Sequence, residues 1–483
     1  MTYGLLKNLV NGEFVASDSG AEIDVYNPAT EKEKVGSVPA MSRNEVSRVF
    51  AAAEAGAKTW KKTNQLERGR VLLNAATMIR ERRDELVALI VTEMGKTKTE
   101  ATGEVGKTAE FFEYYGGMGR DGYGDFLADA RPGTFAARIV EPLGVVLLIT
   151  PWNDPLLTPA RKLGPALIAG NAVVIKPATV TPLITLRLAE ILHEAGLPAG
   201  VLGTVTGRGA DLGDALFEFE ALRAVSFTGS TTVGKGIQAK LAGRGIRVQT
   251  EMGGKNAAVV MDDADLDAAI PTIVAGAFAQ AGQRCTATSR LIVQKGIAAE
   301  VRARIADAVN GLRVAAGTGE RVDLGPVVDQ AAQSSIRTHV DEAVAQGAEI
   351  IARRELEGAA AAAGAFVEPT FLGITTDHDI WHEEVFGPVL GMVEVDSLDD
   401  AIAAVNDSAY GLSSAIFTRD LGNAFRFLEE VDTGQVSINQ PTTGWDIHHP
   451  FGGFKDSGSG FKEQGRDALG FYTRVKAAAV RTH

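Results

Sequence analysis

From Ile139 onward the chain is built from short, nearly uninterrupted Val/Ile/Leu runs separated by helical patterns, and this alternation limits its fold more than any other feature. The runs lie at 144–149, 172–176, 201–206, 224–228, 247–250 and 257–261, and helical periodicity fills 158–169, 183–195, 210–219 and 231–242. A strand that is apolar on both faces has to be covered on both, so the pattern predicts a parallel, doubly wound α/β sheet. Such sheets bind ligands in the crevice at the carboxyl ends of their strands, which is where functional residues belong. A second α/β set runs from Leu266 to about Asn439, with helices predicted at 266–281, 298–312, 330–346, 398–406 and 421–430. At 483 residues the chain exceeds one ordinary core, and two or three domains are expected.

Ahead of this pattern, residues 8–26 alternate and carry the turn signals Asn11-Gly12 and Ser19-Gly20, a β-hairpin lead-in closed by Asn27-Pro28. Ser42-Arg43-Asn44-Glu45 has the spacing of a capping box and starts a predicted helix that runs to about Trp60. Helical patterns follow over 65–94 and 97–116. Gly116 to Gly133 is glycine-rich, breaks the helical period and holds Tyr123 and Phe126, as a loop or as an arm that pairs with another subunit. The alanine-rich patch Ala359 to Ala363 reads as a surface excursion, and the tail from Pro450 starts glycine-rich and ends in a predicted strand at 471–480.

A formal net charge of -13 argues against nucleic acid or anionic membranes as general partners. Met1 to Phe14 holds one lysine and no apolar run of signal-peptide length, and Val145 to Ile149 is far too short to span a bilayer, so a soluble, cytoplasmic protein is expected. The seven histidines make no metal-ligand spacing, and no metal is expected. Neither a G-x-S-x-G elbow nor a P-loop is present, and no histidine near Cys285 in sequence suggests a Cys/His hydrolase.

Cys285 is the single cysteine, so it cannot form an intramolecular disulfide and has no sulfur neighbour for a Cys-type metal site. It is either a small packing residue or a chemical one. Within Gly282-Gln283-Arg284-Cys285 the adjacent arginine favours the thiolate, the nucleophilic form. Five clusters lie at or near predicted strand ends. Pro151-Trp152-Asn153 follows the first run, where the Asn153 amide can donate to a developing oxyanion or simply cap a turn. In Lys176-Pro177-Ala178-Thr179 the lysine can hold a ribose or phosphate, or be a solvated surface residue. Phe227-Thr228-Gly229-Ser230, followed by Gly234, joins a strand to a helix N-terminus suited to a pyrophosphate. Upstream, Gly207-Arg208-Gly209 with Gly213 is a weak imitation of a dinucleotide fingerprint. Glu251-Met252-Gly253-Gly254-Lys255 sets a carboxylate beside two glycines, either a general base or an exposed residue in a flexible link. Glu384-Val385-Phe386-Gly387-Pro388 places an acid that can accept two ribose hydroxyls beside a ring that can back a nicotinamide.

Together with Gly-Gln-x-Cys and the late Pro450-Phe451-Gly452-Gly453, these motifs occur in an order that resembles the aldehyde dehydrogenase superfamily over essentially the whole chain. Each is modest alone, and the specificity lies in the ordered set. The resemblance implies that Cys285 is the nucleophile, that Asn153 and the Cys285 N–H hold the oxyanion, and that Glu251 activates the hydrolytic water. It implies NAD or NADP as cofactor, with Lys176 and Glu384 on the riboses, Ser230 on the pyrophosphate, and Trp152 and Phe386 lining the cleft. Thr150, Thr179, Gly209, Gly229 and Val233 belong to the same cofactor side. Thr179 stands where NAD-preferring relatives often carry glutamate, which favours NADP. Arg161 and Arg284 occupy positions where relatives that oxidise carboxylate-bearing semialdehydes carry arginine, with Asp154 as a pocket-wall acid that pairs with Arg161 or favours a cationic or hydroxylated substrate. The implied layout is a Rossmann-type dinucleotide-binding domain (1–119 and 142–252), a catalytic α/β domain (253–449), and a small β arm with the C-terminal segment (120–141 and 450–483) that makes dimers or tetramers. A CoA-acylating semialdehyde dehydrogenase and a non-catalytic binding member of the superfamily are the alternatives. The first lacks a base at the Glu251 position, and the second typically loses the nucleophile or base.

Overall fold

The structure, a computed structural model, describes residues 2–122 and 124–481, so Tyr123 of the glycine-rich stretch lies outside the described residues. Its centre is a five-stranded parallel sheet in the spatial order Arg247–Glu251, Leu222–Thr228, Val145–Ile149, Ala172–Lys176, Leu202–Thr204. The earliest of these strands lies in the middle, and the order reverses between it and Leu222–Thr228. That reversal opens the crevice in which doubly wound sheets hold ligands. Val146 and Leu148 pack into one core while Val145 and Leu147 pack into another, on the opposite face. Helices therefore cover both sides, which is why the strand reads as one apolar run.

The run predicted at 257–261 leaves this set. As Asn256–Val260 it is a central strand of a second, seven-stranded sheet, between Thr288–Gln294 and Ser413–Phe417. Neighbours in that sheet are parallel except Glu349–Arg353, which runs antiparallel to Thr370–Gly373. It is enclosed by a third core that includes Val259, Leu291, Phe371 and Trp381.

The Ser42 capping box forms and starts the helix Arg43–Trp60. The predicted 65–94 helix divides at Arg82 into Gln65–Glu81 and Arg83–Glu93, because Arg82 leaves helical geometry (φ −96°, ψ 16°). The predicted 210–219 helix shrinks to Gly209–Leu212 with a following 3₁₀ turn. The predicted 266–281 helix stops at Phe278, since Gln280 and Ala281 are left-handed. Gly124–Leu127, Thr134–Pro142 and Thr473–Arg481 form a separate antiparallel sheet of three strands. Among the described residues no helix is long and apolar enough to cross a membrane.

Candidate active site

Strand register brings the motifs together. Glu251 pairs with Thr228, Phe227 with Ile149, and Ile149 with Lys176, so four strands end side by side on one edge of the central sheet. A cavity of about 820 Å³ opens beyond that edge, toward the second sheet. Its wall includes Cys285, Glu251 and Asn153, then Thr150, Trp152, Gly229, Ser230, Val233, Glu384 and Phe386, and also Arg161, Arg284 and Asp154. Lys176, Thr179 and Gly209 lie outside that wall. Lys176 donates to the carbonyl of Pro177 (3.2 Å) and Thr179 to that of Gly207 (3.3 Å), while Gly209 is exposed and opens the short helix Gly209–Leu212.

The half-buried Cys285 is held from behind. Asn256 Nδ2 donates to the carbonyls of Cys285 and Ala287, both at 2.8 Å. The glycine pair after Glu251 is explained by close approach. A Cβ at Gly254 would lie 2.6 Å from the Cys285 carbonyl oxygen, and one at Gly253 would run into the Glu384 carboxylate. Gly254 N–H donates to that carboxylate at 2.9 Å, while burial pushes the Glu384 carboxyl up to about 7. Phe386 has a positive φ of 53°, which brings its ring edge-on to Trp152 with centroids 5.3 Å apart.

Asn153 Nδ2 gives one N–H to the Gln283 carbonyl (3.0 Å), leaving the second for an incoming oxygen. Burial pushes the Cys285 thiol up, and the Arg161 cation opposes it. Glu251 is buried, with Oε1 accepting from Gln249 Nε2 at 3.0 Å and Oε2 without a hydrogen-bond partner. Burial, followed by the nearby Glu463, raises its carboxyl well above the usual range. An unsatisfied buried carboxylate oxygen of this kind is a site for a water.

Several polar residues in this site escape the motifs. Glu463 accepts from Lys162 Nζ (2.5 Å), Thr228 Oγ1 (2.8 Å) and Arg161 Nη1 (3.0 Å). Against the pull of burial, Lys162 and then Arg161 hold its carboxyl below the usual range. Lys162 also donates to Ser226 Oγ at 2.7 Å. The available signal was the interruption of apolar strands by Ser226 and Gln249, which are buried and must find partners. Arg161 is consequently half committed. One Nη serves Glu463, and its guanidinium lies over the Phe451 ring at 4.5 Å.

The alternative that pairs Asp154 with Arg161 does not hold. Lys96, buried just ahead of the helix Lys98–Gly117, puts its Nζ 2.5 Å from Asp154 and 2.6 Å from Glu104, so Asp154 already has an ion-pair partner. Against burial, Lys96 and then Arg284 hold the Asp154 carboxyl low. Arg284 donates through Nε to Gln280 Oε1 at 2.9 Å and forms part of the cavity wall.

A family model described as the aldehyde dehydrogenase family matches residues 14–478. The chain is 42% identical over 473 residues to an alpha-ketoglutarate semialdehyde dehydrogenase of Haloferax volcanii, covering 97% of this chain and 98% of that one. It is 39% identical over 476 residues to an alpha-ketoglutaric semialdehyde dehydrogenase of Bacillus subtilis, covering 98% of each. Among solved structures, betaine aldehyde dehydrogenase of Staphylococcus aureus in complex with NAD+ superposes with a TM-score of 0.95 at 32% identity, over 99% of this chain and 95% of that one.

Proposed function

The chain belongs to the aldehyde dehydrogenase family, an oxidoreductase acting on aldehydes with NAD or NADP, and from that premise we propose that it oxidises a carboxylate-bearing semialdehyde to the diacid through Cys285. One observation carries this reading: a single cavity joins the Cys285 thiol, the Asn153 amide and the Glu251 carboxylate to two arginines, Arg161 and Arg284. With its proton released to water, the Cys285 thiolate adds to the aldehyde carbon and the carbonyl π pair moves to oxygen, giving the thiohemiacetal oxyanion. The oxyanion accepts hydrogen bonds from the free N–H of Asn153 and from the Cys285 backbone. When bound, the nicotinamide supplies the hydride acceptor for the oxidation. Cys285 then carries a thioester, and Glu251 takes a proton from the water that hydrolyses it.

The residues present fit a dinucleotide. The helix Thr231–Leu241 starts without a side-chain cap from Ser230, and Thr231 Oγ1 is buried without a partner, so the first turn offers donors to a pyrophosphate. Burial brings the Lys176 ammonium down to about 8, beside a strand end where a ribose or phosphate would restore its charge. Thr179 adds no negative charge to repel a 2′-phosphate, which favours NADP over NAD. On this reading 1–119 and 142–252 bind the dinucleotide, 253–449 carry the thiol, and 120–141 with 450–483 assemble a homodimer or tetramer.

Similarity to alpha-ketoglutarate semialdehyde dehydrogenases and the cations Arg161 and Arg284 in the cavity wall both support an anionic substrate, α-ketoglutarate or succinate semialdehyde. A base at Glu251 speaks against transfer to CoA, and the presence of thiol and base speaks against a silent binding protein. The test is NAD(P)H formation from aliphatic, aromatic and carboxylated aldehydes, with and without CoA. Carboxylated substrates should lead by roughly tenfold or more in kcat/KM, as a bidentate arginine contact implies, with no dependence on CoA and with NADP at least equal to NAD. A flat panel sinks the substrate class, and a strong NAD preference sinks the assignment to Thr179.

A further inference from the structure

Gln280 lies in the cavity wall and takes no part in the chemistry above. Its backbone is left-handed (φ 58°, ψ 30°), as is that of Ala281 (φ 52°, ψ 35°). Two consecutive residues with side chains in this region are strained and persist only where surrounding bonds over-determine them. The surrounding bonds are present. Gln280 N–H donates to Glu100 Oε1 at 2.5 Å, and its carbonyl accepts from Gln283 Nε2 at 3.1 Å. The side-chain Nε2 donates to the Asn153 carbonyl at 2.6 Å, and Oε1 accepts from Arg284 Nε at 2.9 Å. The partners decide the amide orientation, because a carbonyl only accepts and a guanidinium only donates.

One amide thus ties the residue that faces the oxyanion to the arginine that faces the substrate's far end. We propose that Gln280 is a positioning residue for substrate selection, its amide fixing Arg284 at a set distance from Asn153 so that only aldehydes with a carboxylate at matching reach are read. This rests on the assignment of Arg284 to a substrate carboxylate. Asp154 shows why the tie is needed. It attracts Arg284 electrostatically, and the Gln280 acceptor holds the guanidinium against that pull.

The experiment compares kcat and KM for succinate semialdehyde and for butanal, a neutral aldehyde of the same length, in wild type, Gln280→Ala, Gln280→Met, Arg284→Ala and the Gln280→Ala/Arg284→Ala double variant. Gln280→Ala should raise KM for the semialdehyde about tenfold, the scale of one charge-assisted hydrogen bond, while kcat/KM for butanal stays within about threefold. Gln280→Met keeps the bulk without a carboxylate against the Asn153 carbonyl and offers Arg284 no comparable acceptor, so it should show the same selective loss even if the alanine variant folds poorly. The double variant should be no worse than Arg284→Ala alone, since the two act through one contact. Equal losses on both aldehydes, or additive losses in the double variant, would reduce Gln280 to scaffolding and overturn the proposal. If wild type itself shows no preference for the semialdehyde, the substrate reading falls and takes this one with it. If the preference exists and the Gln280 variants keep it, only the role of Gln280 falls.

Discussion

On the proposed mechanism Glu251 is the base, yet its surroundings favour the acid. Burial and Glu463 raise its carboxyl, and Gln249 satisfies only one of its oxygens. A raised pKa means that the deprotonated, water-activating form grows in as pH rises through a window above the ordinary carboxylate value of about 4.3. The acid limb of kcat should therefore sit well above that value. Glu251→Gln should lower kcat by about 10²–10⁴ and abolish the limb, while a burst of NAD(P)H from the first half-reaction survives, read by stopped-flow absorbance from pH 5 to pH 9. An unchanged limb in the variant would assign it to another group. Glu251 was open to view because it precedes two glycines, and those glycines have a reason in the close approaches to Cys285 and Glu384. Glu463 and Lys96 were not, since a charged residue in a loop looks the same whether it faces water or partners that lie 8 to 302 residues away.

At the scale of elements, local caps were legible and remote ones were not. Ser42 and Glu45 cap their own helix and could be found by spacing. The helices that start at Leu157 and Leu183 have no side-chain cap of their own. Glu104 accepts from the N–H groups of Leu156 and Leu157, and Glu93 from those of Leu183 and Ile184, across 52 to 91 residues of chain. Local spacing carries no trace of such a cap. Glu93 has a stability consequence. Burial pushes its carboxyl up to about 8, against about 4.3 in an unfolded chain, so the folded form binds a proton the unfolded form has released in that window. Its contribution is full below about pH 4.3 and declines as pH rises toward 8. Glu93→Gln keeps an acceptor for the helix and removes the titration, so its Tm relative to wild type should climb from pH 5 to pH 8 in differential scanning fluorimetry. A constant Tm difference across that range would place the Glu93 proton elsewhere.

At the scale of the whole molecule, the three-stranded sheet carries an apolar surface that the chain's own packing does not cover. In the three-stranded sheet, Phe126 pairs with Ala137, and Phe135 pairs with Val480, which puts Phe126, Phe135, Ile139 and Val480 on one face. All four are exposed, Phe126 at 81%, and the rings of Phe126 and Phe135 meet at 5.2 Å. The glycine-rich break hinted at an arm, but the pairing partner of that arm lies more than 300 residues on and could not be read from periodicity. We propose this apolar face as the assembly surface, the role that the family resemblance implies for the same sheet. Wild type should therefore elute at a multiple of 50.8 kDa in size-exclusion chromatography with light scattering. The Phe126→Asp/Val480→Asp double variant puts two charges on that face and should shift the population to the monomer, while leaving the five-stranded sheet untouched. Circular dichroism separates loss of assembly from loss of fold. A wild type that runs as a monomer at micromolar concentration, or a variant that keeps its mass, would remove the sheet from the interface.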